Sequence, residues 1–94
     1  MVIYFDEGIN RVFYRPPNFG TGLTIAIQLW DAHLQKRPLR IFKELEEGLY
    51  YLDYDFNQRG NWVGIVYENG EKETSQTFQI GMARPGVIKN KLPK

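Results

Sequence analysis

Apolar residues return at every second position along most of this chain, which is the spacing of a β-strand whose side chains alternate between two faces. The segment GLTIAIQLWD, residues 22–31, shows the alternation clearly, with aliphatic residues on one face and a mostly polar set on the other. No long segment shows the 3.6-residue period of an amphipathic helix. The pattern therefore predicts an all-β chain.

Two aspartates indicate which side of the strand at residues 48–56 faces the interior. One side carries Tyr50, Leu52, Tyr54 and Phe56, and the other carries Leu49, Tyr51, Asp53 and Asp55. Because unpaired charges are costly to bury, the side with the carboxylates should face water. The aromatic residues of the first side are thus predicted to form core.

Further strands follow from the same alternation and from turn residues. Residues 62–67 and 77–80 are predicted to pair as a hairpin, since Asn69-Gly70 between them suits a two-residue turn. Residues 11–15 and 39–44 make weaker strands, and residues 2–5 add one more if they pair. Six or seven strands at this spacing predict an antiparallel sandwich or a barrel.

The strand at residues 62–67 is apolar on both faces. If Trp62, Gly64 and Val66 point inward, then Val63, Ile65 and Tyr67 point outward. An apolar outer face on a small sandwich needs a cover, and such residues form the core of many interfaces. We predict that Trp62 is a core anchor, and that the outward three contact a protein partner or a second copy of the chain, with the C-terminal tail as the alternative cover.

Composition excludes several kinds of chemistry. The chain has 94 residues, enough for one domain, and no cysteine, so it has neither disulfides nor thiolate sites. With 12 Lys and Arg against 11 Asp and Glu, the net charge of +1 argues against nucleic acid as a partner and gives no attraction to a membrane. There is no secretion signal and no apolar run long enough to span a bilayer, so we expect a soluble protein made in the cytoplasm.

No catalytic motif is present. His33 is the single histidine, in a polar stretch that favours an ordinary loop residue over a general base. Asp53 and Asp55, about 7 Å apart on one strand face, leave open a calcium site or a carboxylate pair. A solvated outer face is the favoured interpretation of these two aspartates, and we predict neither an enzyme nor a catalytic residue, metal or cofactor.

The alternation stops after Gly81. Residues 82–94 contain four basic residues, two prolines and few aliphatic residues. We interpret residues 1–81 as the sandwich and residues 82–94 as a basic C-terminal tail, either free or docked on a neighbour.

The order of these segments resembles a small immunoglobulin-like β-sandwich without a disulfide, of the kind found in bacterial and bacteriophage proteins. The resemblance covers residues 11–81 and depends on GTGLTIAIQLWD, EEGLYYLDYDF, RGNWVGIVYENG and SQTFQI. In such domains an aromatic residue two positions after a glycine marks a corner between the sheets. Gly60 with Trp62 and Gly48 with Tyr50 both have this spacing.

The stretch from GLYYLDYDF to TSQTFQI is also similar to tail-associated or fibre-associated virion modules of bacteriophages. This resemblance implies a non-enzymatic structural protein, a virion component that assembles with copies of itself or with other virion proteins. The alternative is a carbohydrate-binding module, because exposed aromatic rings on a β-sandwich stack on sugars. Trp30 and Tyr51 are the candidate sugar-binding residues.

Overall fold

The structure, a computed structural model, describes residues 2–81, and the predicted tail at residues 82–94 lies outside them. The described chain forms strands without a helix. The strands are β1 (Val2–Phe5), β2 (Gly8–Tyr14), β3 (Ile25–Trp30), β4 (Arg40–Ile41), β5 (Lys43–Glu46), β6 (Leu49–Phe56), β7 (Gly60–Glu68) and β8 (Glu71–Ile80). The predicted all-β sandwich is confirmed.

The strands form two sheets. A large sheet has the order β1-β8-β7-β3-β4, and a small sheet has the order β2-β6-β5. Every strand pairing within residues 2–81 is antiparallel except that β1 runs parallel to β8. The expectation of a purely antiparallel sandwich is therefore wrong at this edge, because β1 and β8 are not joined to each other by a hairpin, which would force them to run in opposite directions.

The predicted single strand at residues 39–44 is in fact two strands on different sheets. Arg40–Ile41 pairs with β3 in the large sheet, and Lys43–Glu46 pairs with β6 in the small sheet. Phe42, between them, is buried in the core, and its N–H donates to the carbonyl of Ile25. Because the chain passes from one sheet to the other at Phe42, the number of strands in the described residues is above the six or seven expected.

The core lies between the inner faces of the two sheets. It contains the predicted inward side of β6 together with aliphatic residues of β3 and aromatic residues of β7 and β8. The buried set is Val12, Tyr14, Ile25, Ile27, Leu29, Phe42, Tyr50, Leu52, Tyr54, Phe56, Trp62, Val66, Phe78 and Ile80. The prediction that the side of β6 carrying Asp53 and Asp55 faces outward is thus confirmed.

The indole of Trp62 closes the corner between β6 and β7. Its Nε1–H donates to the backbone carbonyl of Gln58, four residues upstream, at 3.0 Å. The other candidate corner residue, Tyr50, instead fixes the loop before β3: its hydroxyl accepts from the N–H of Leu23 and donates to the carbonyl of Gly20. Of the two glycine–aromatic pairs, Gly60–Trp62 is therefore the one whose aromatic side chain hydrogen-bonds to the backbone of the corner that precedes it.

Tyr14 on β2 joins the small sheet to the large one. Its hydroxyl donates to the carboxylate of Glu68 on β7 at 3.2 Å. Burial, together with the charge and the hydrogen bond of Glu68, raises the pKa of Tyr14 to about 12.

This raised pKa predicts a loss of stability at alkaline pH. The unfolded chain releases the Tyr14 proton near pH 10 and the folded chain only near pH 12, so the stabilising effect is complete below about pH 10 and disappears as the pH rises to about 12. We expect the difference in unfolding free energy between the wild type and Tyr14→Phe to shrink by roughly 2 kcal/mol over that range. Urea titrations of both proteins at several pH values measure it. A constant difference across the range would contradict the assignment.

Candidate functional site

The outer surface of the large sheet is apolar at its centre. On β7 the inward residues Trp62, Gly64 and Val66 are buried, so Val63, Ile65 and Tyr67 point outward as predicted. Directly opposite them on β3 lie Trp30, Gln28 and Ala26 respectively, and Ile41 of β4 lies beside Ala26. We call these seven outward residues, Ala26, Gln28, Trp30, Ile41, Val63, Ile65 and Tyr67, the large-sheet face.

The large-sheet face is only partly exposed to water. Val63 is 37% exposed and Ile41 is 52% exposed, whereas Ile65 and Tyr67 are half-buried. Ala26 is buried although it points away from the core. The sequence pattern led us to expect that the outer side of β3 faces water. Ala26 on that side is instead buried, because the larger side chains of the flanking strands cover it.

A shallow groove of about 330 Å³ crosses one end of the large-sheet face. Its lining residues are Thr24, Ala26, Gln28, Leu39, Ile41, Tyr67 and Gly70. Leu39 and Ile41 are each 52% exposed at its rim. A groove lined mainly by aliphatic and aromatic side chains suits an apolar side chain of a partner better than a charged substrate.

The loop at residues 31–37 stands at the opposite end of the same sheet, and a buried carboxylate organises it. Asp31 is 2% exposed. One of its oxygens accepts from the N–H groups of His33 and Gln35, each at 2.9 Å, and the other accepts from Nε of Arg37 at 3.0 Å. Gln58, from the β6–β7 corner, donates to the same carboxylate at 3.3 Å, so the loop is tied to the body of the sandwich.

The electrostatics of Asp31 agree with this structural role. Burial alone would raise the pKa of Asp31, but the N–H groups of Gln35 and His33 and the Arg37 guanidinium outweigh it and hold that pKa below its usual range. The guanidinium also lies 5.0 Å from the centre of the Trp62 ring and donates to Asn57. Asp31 thus remains charged and fixes the loop at ordinary pH.

The two candidate sugar-binding residues lie on opposite sides of the molecule. Trp30 is on the large-sheet face, and Tyr51 is on the outer face of the small sheet. The guanidinium of Arg11 lies 4.3 Å from the centre of the Tyr51 ring and covers one of its faces. A single sugar-binding surface therefore does not hold both rings.

The aspartate pair on β6 has a structural explanation. Asp53 accepts two hydrogen bonds from Arg11, at 2.7 and 3.0 Å, and this contact lowers the pKa of Asp53. Asp55 and His33 are both exposed, and no group of three metal-ligating side chains occurs within residues 2–81. In this part of the chain, no helix is long and apolar enough to cross a membrane.

Comparison with known proteins leaves the site to be interpreted from its own geometry. The sequence matches no family model and no curated protein.

The outward set Val63, Ile65 and Tyr67 was found from alternation alone. The contributions of Leu39, Ile41 and Ala26 were missed, because they depend on which strands become neighbours, and no local signal in the sequence specifies that.

Proposed function

We propose that this protein is a non-enzymatic interaction module that assembles with other protein chains through the large-sheet face. The observation that carries the proposal is the apolar centre of that face, where Val63, Ile65 and Tyr67 point outward from the middle strand of the large sheet. Flat apolar surfaces of this kind are typical of the buried centre of protein interfaces. The outer face of the small sheet, by contrast, has the Arg11–Asp53 ion pair between its exposed apolar residues Ile9 and Phe13.

The strand order supports an immunoglobulin-like arrangement for the module. In that arrangement strands B, E and D share one sheet, and strands C, F and G share the other. Naming β2 and β3 as B and C, and β5 to β8 as D to G, gives B-E-D in the small sheet and G-F-C in the large sheet, with β1 added beside G and β4 beside C. The hydrogen bond of Trp62 at the start of β7 lies where such domains place a tyrosine corner.

The sequence resemblance suggests the setting in which the module works. We place it among the tail-associated or fibre-associated components of bacteriophage virions, which assemble with copies of themselves or with other virion proteins. This setting is an analogy at the level of fold and sequence pattern. What supports it is the combination of a small disulfide-free sandwich with an apolar outer face.

The substitution Ile65→Lys tests the proposed surface. A half-buried outward lysine reaches water easily in a free chain but is costly inside an interface, so we expect the variant to fold normally and to lose assembly. Sedimentation equilibrium measures the assembly, and circular dichroism checks the fold. Ile9→Lys is the matched control, because Ile9 is 77% exposed on the other sheet.

Two results would overturn the proposal. One is that Ile65→Lys and Ile9→Lys assemble as well as the wild type. The other is a monomer that binds one glycan specifically on a glycan array, which would favour the sugar-binding alternative.

A further inference from the structure

The outer edge of β2 is a free sheet edge in the described part of the chain. β2 pairs with β6 on one side, and no strand within residues 2–81 pairs with its other side. The other edge strands of this part, β1, β4 and β5, have four, two and four residues, whereas β2 has seven and an uninterrupted register with β6. A free edge presents the unpaired N–H and C=O groups of alternate residues, so β2 is a template for a further strand.

The outward side chains of β2 beside this edge are apolar and exposed. Ile9 is 77% exposed and Phe13 is 50% exposed. β6 flanks them on one side only, with Asp55 opposite Ile9 and Tyr51 opposite Phe13. A strand added at the free edge would flank both residues on the other side and remove apolar surface from water.

The chain continues beyond Gly81 from the end of the sandwich at which β2 begins. The N–H of Gly81 donates to the carbonyl of Phe5 at 2.8 Å, and β2 starts at Gly8, within about 11 Å of Phe5 along the chain. Residues 82–86 can span up to about 17 Å, which is enough to reach the start of β2. A segment that follows the free edge from there runs parallel to β2.

The basic C-terminal tail contains a segment of suitable length and composition. Residues 87–92 lie between Pro85 and Pro93 and contain no proline, so each of them has an N–H that can donate to a strand ladder. Six residues nearly match the seven of β2. Ile88 and Leu92 within the segment supply apolar side chains, and two lysines lie between them.

Charge is complementary between the tail and the rest of the chain. The tail has four basic residues and no acidic one, and since the whole chain has 12 basic and 11 acidic residues, residues 1–81 carry eight basic against 11 acidic. Near the start of β2 the exposed carboxylates of Asp6, Glu7 and Asp55 form no ion pair with a described residue. The large-sheet face contains no acidic residue, so electrostatic attraction favours the β2 edge over that face.

From these observations we infer that residues 87–92 pair in parallel with the free edge of β2, as an added strand of the small sheet that covers Ile9 and Phe13. The segment belongs to the same molecule as β2, because its short tether gives it a higher effective concentration than the tail of a neighbour. The large-sheet face stays open to the proposed partner, so the inference goes beyond the proposed function and does not depend on it. A covered edge is also protected from edge-to-edge association.

Hydrogen exchange of the β2 amides, measured one by one by NMR, tests the pairing. Adjacent N–H groups point to opposite sides of a strand, so Lys89→Pro combined with Asn90→Pro removes a donor toward β2 in either register. The β2 amides that face away from β6 should exchange about tenfold or more slowly in the wild type than in this double variant. Lys89→Ala combined with Asn90→Ala is the matched control, because it loses the same charge but keeps both N–H groups, and it should protect these amides. Equal exchange in the wild type and the proline variant would overturn the inference.

A nitroxide label locates the tail directly. The chain has no cysteine, so Lys91→Cys gives a single labelling site in the full-length protein. The label should broaden the NMR signals of β2 and leave those of β3 and β7 sharp. Broadening of β3 and β7 would place the tail on the large-sheet face, and no broadening of any strand would show a free tail. Broadening of an isotope-labelled, nitroxide-free protein in a mixture would show that the tail of a neighbour binds instead. Each of these three results contradicts the inference.

Discussion

Replacing Trp62 with alanine is expected to lower the free energy of unfolding by about 3 to 5 kcal/mol. The side chain is fully buried and meets the rings of Tyr54 and Phe56 edge-on, with centroids 6.0 and 5.1 Å away. Alanine would leave a large cavity and would also remove the hydrogen bond to Gln58 that closes the β6–β7 corner. A domain of this size has a total stability of roughly 5 to 14 kcal/mol, so the loss is a large fraction of that stability and would unfold the variant at the lower end of the range.

Thermal and urea denaturation of Trp62→Ala measure this loss. Trp30→Ala is the matched control, because the same side chain is removed from the half-buried outer face, where water can fill the space. We expect Trp30→Ala to be much the milder change. Equal effects of the two substitutions would show that Trp62 is not the anchor of the core.

The second large effect is expected at Gly48, where the free energy of unfolding should fall by about 2 to 5 kcal/mol for Gly48→Ala. The residue has a φ of 73°, which an alanine adopts at a cost of roughly 1 to 2 kcal/mol. A Cβ built there would lie 2.9 Å from the carbonyl oxygen of Phe19 and 3.2 Å from its Cα. Because these atoms are backbone, the loop before β3 would have to shift, which adds an overpacking penalty of about 1 to 3 kcal/mol.

Gly22 is the matched control for this prediction. Its φ is 65°, nothing lies within 4 Å of a Cβ built there, and its N–H, like that of Gly48, donates to the carboxylate of Glu44. Gly22→Ala should therefore show only the backbone penalty. Comparison of the two urea midpoints isolates the contact with Phe19, and similar midpoints would mean that this contact is not tight.

Alternation predicts the faces of a strand well where charges mark one side. On β6 the carboxylates of Asp53 and Asp55 made the choice unambiguous, and the side chains point as expected. On β3 the same reasoning gave a polar outer side, yet Ala26 and Gln28 are buried there. Ala26 lies between Ile41 and Tyr67 of the neighbouring strands, and Gln28 lies opposite Ile65, so this burial depends on strand order, which the residues of β3 alone do not specify.

Other features depended on contacts between distant parts of the chain. The division of residues 39–44 between two sheets could not be predicted, since Phe42 would point inward from one continuous strand as well. The loop at residues 31–37 carries no motif: Asp31 organises it through nearby N–H groups, and one hydrogen bond from Gln58, 27 residues further along, ties it to the sandwich. The apolar centre at Ile65 was predictable because it lies within one strand. The groove was not, because it forms only where three strands, β3, β4 and β7, pair with one another.

The parallel pairing of β1 with β8 bears on how the molecule responds to mechanical force. The register runs from Val2 opposite Thr77 to Phe5 opposite Ile80. The start of β1 and the end of β8 therefore lie at opposite ends of the pair, and tension applied between residues 2 and 81 slides the two strands along each other. All the cross-strand hydrogen bonds then carry the load together, whereas a hairpin pulled from its open end would lose them one at a time.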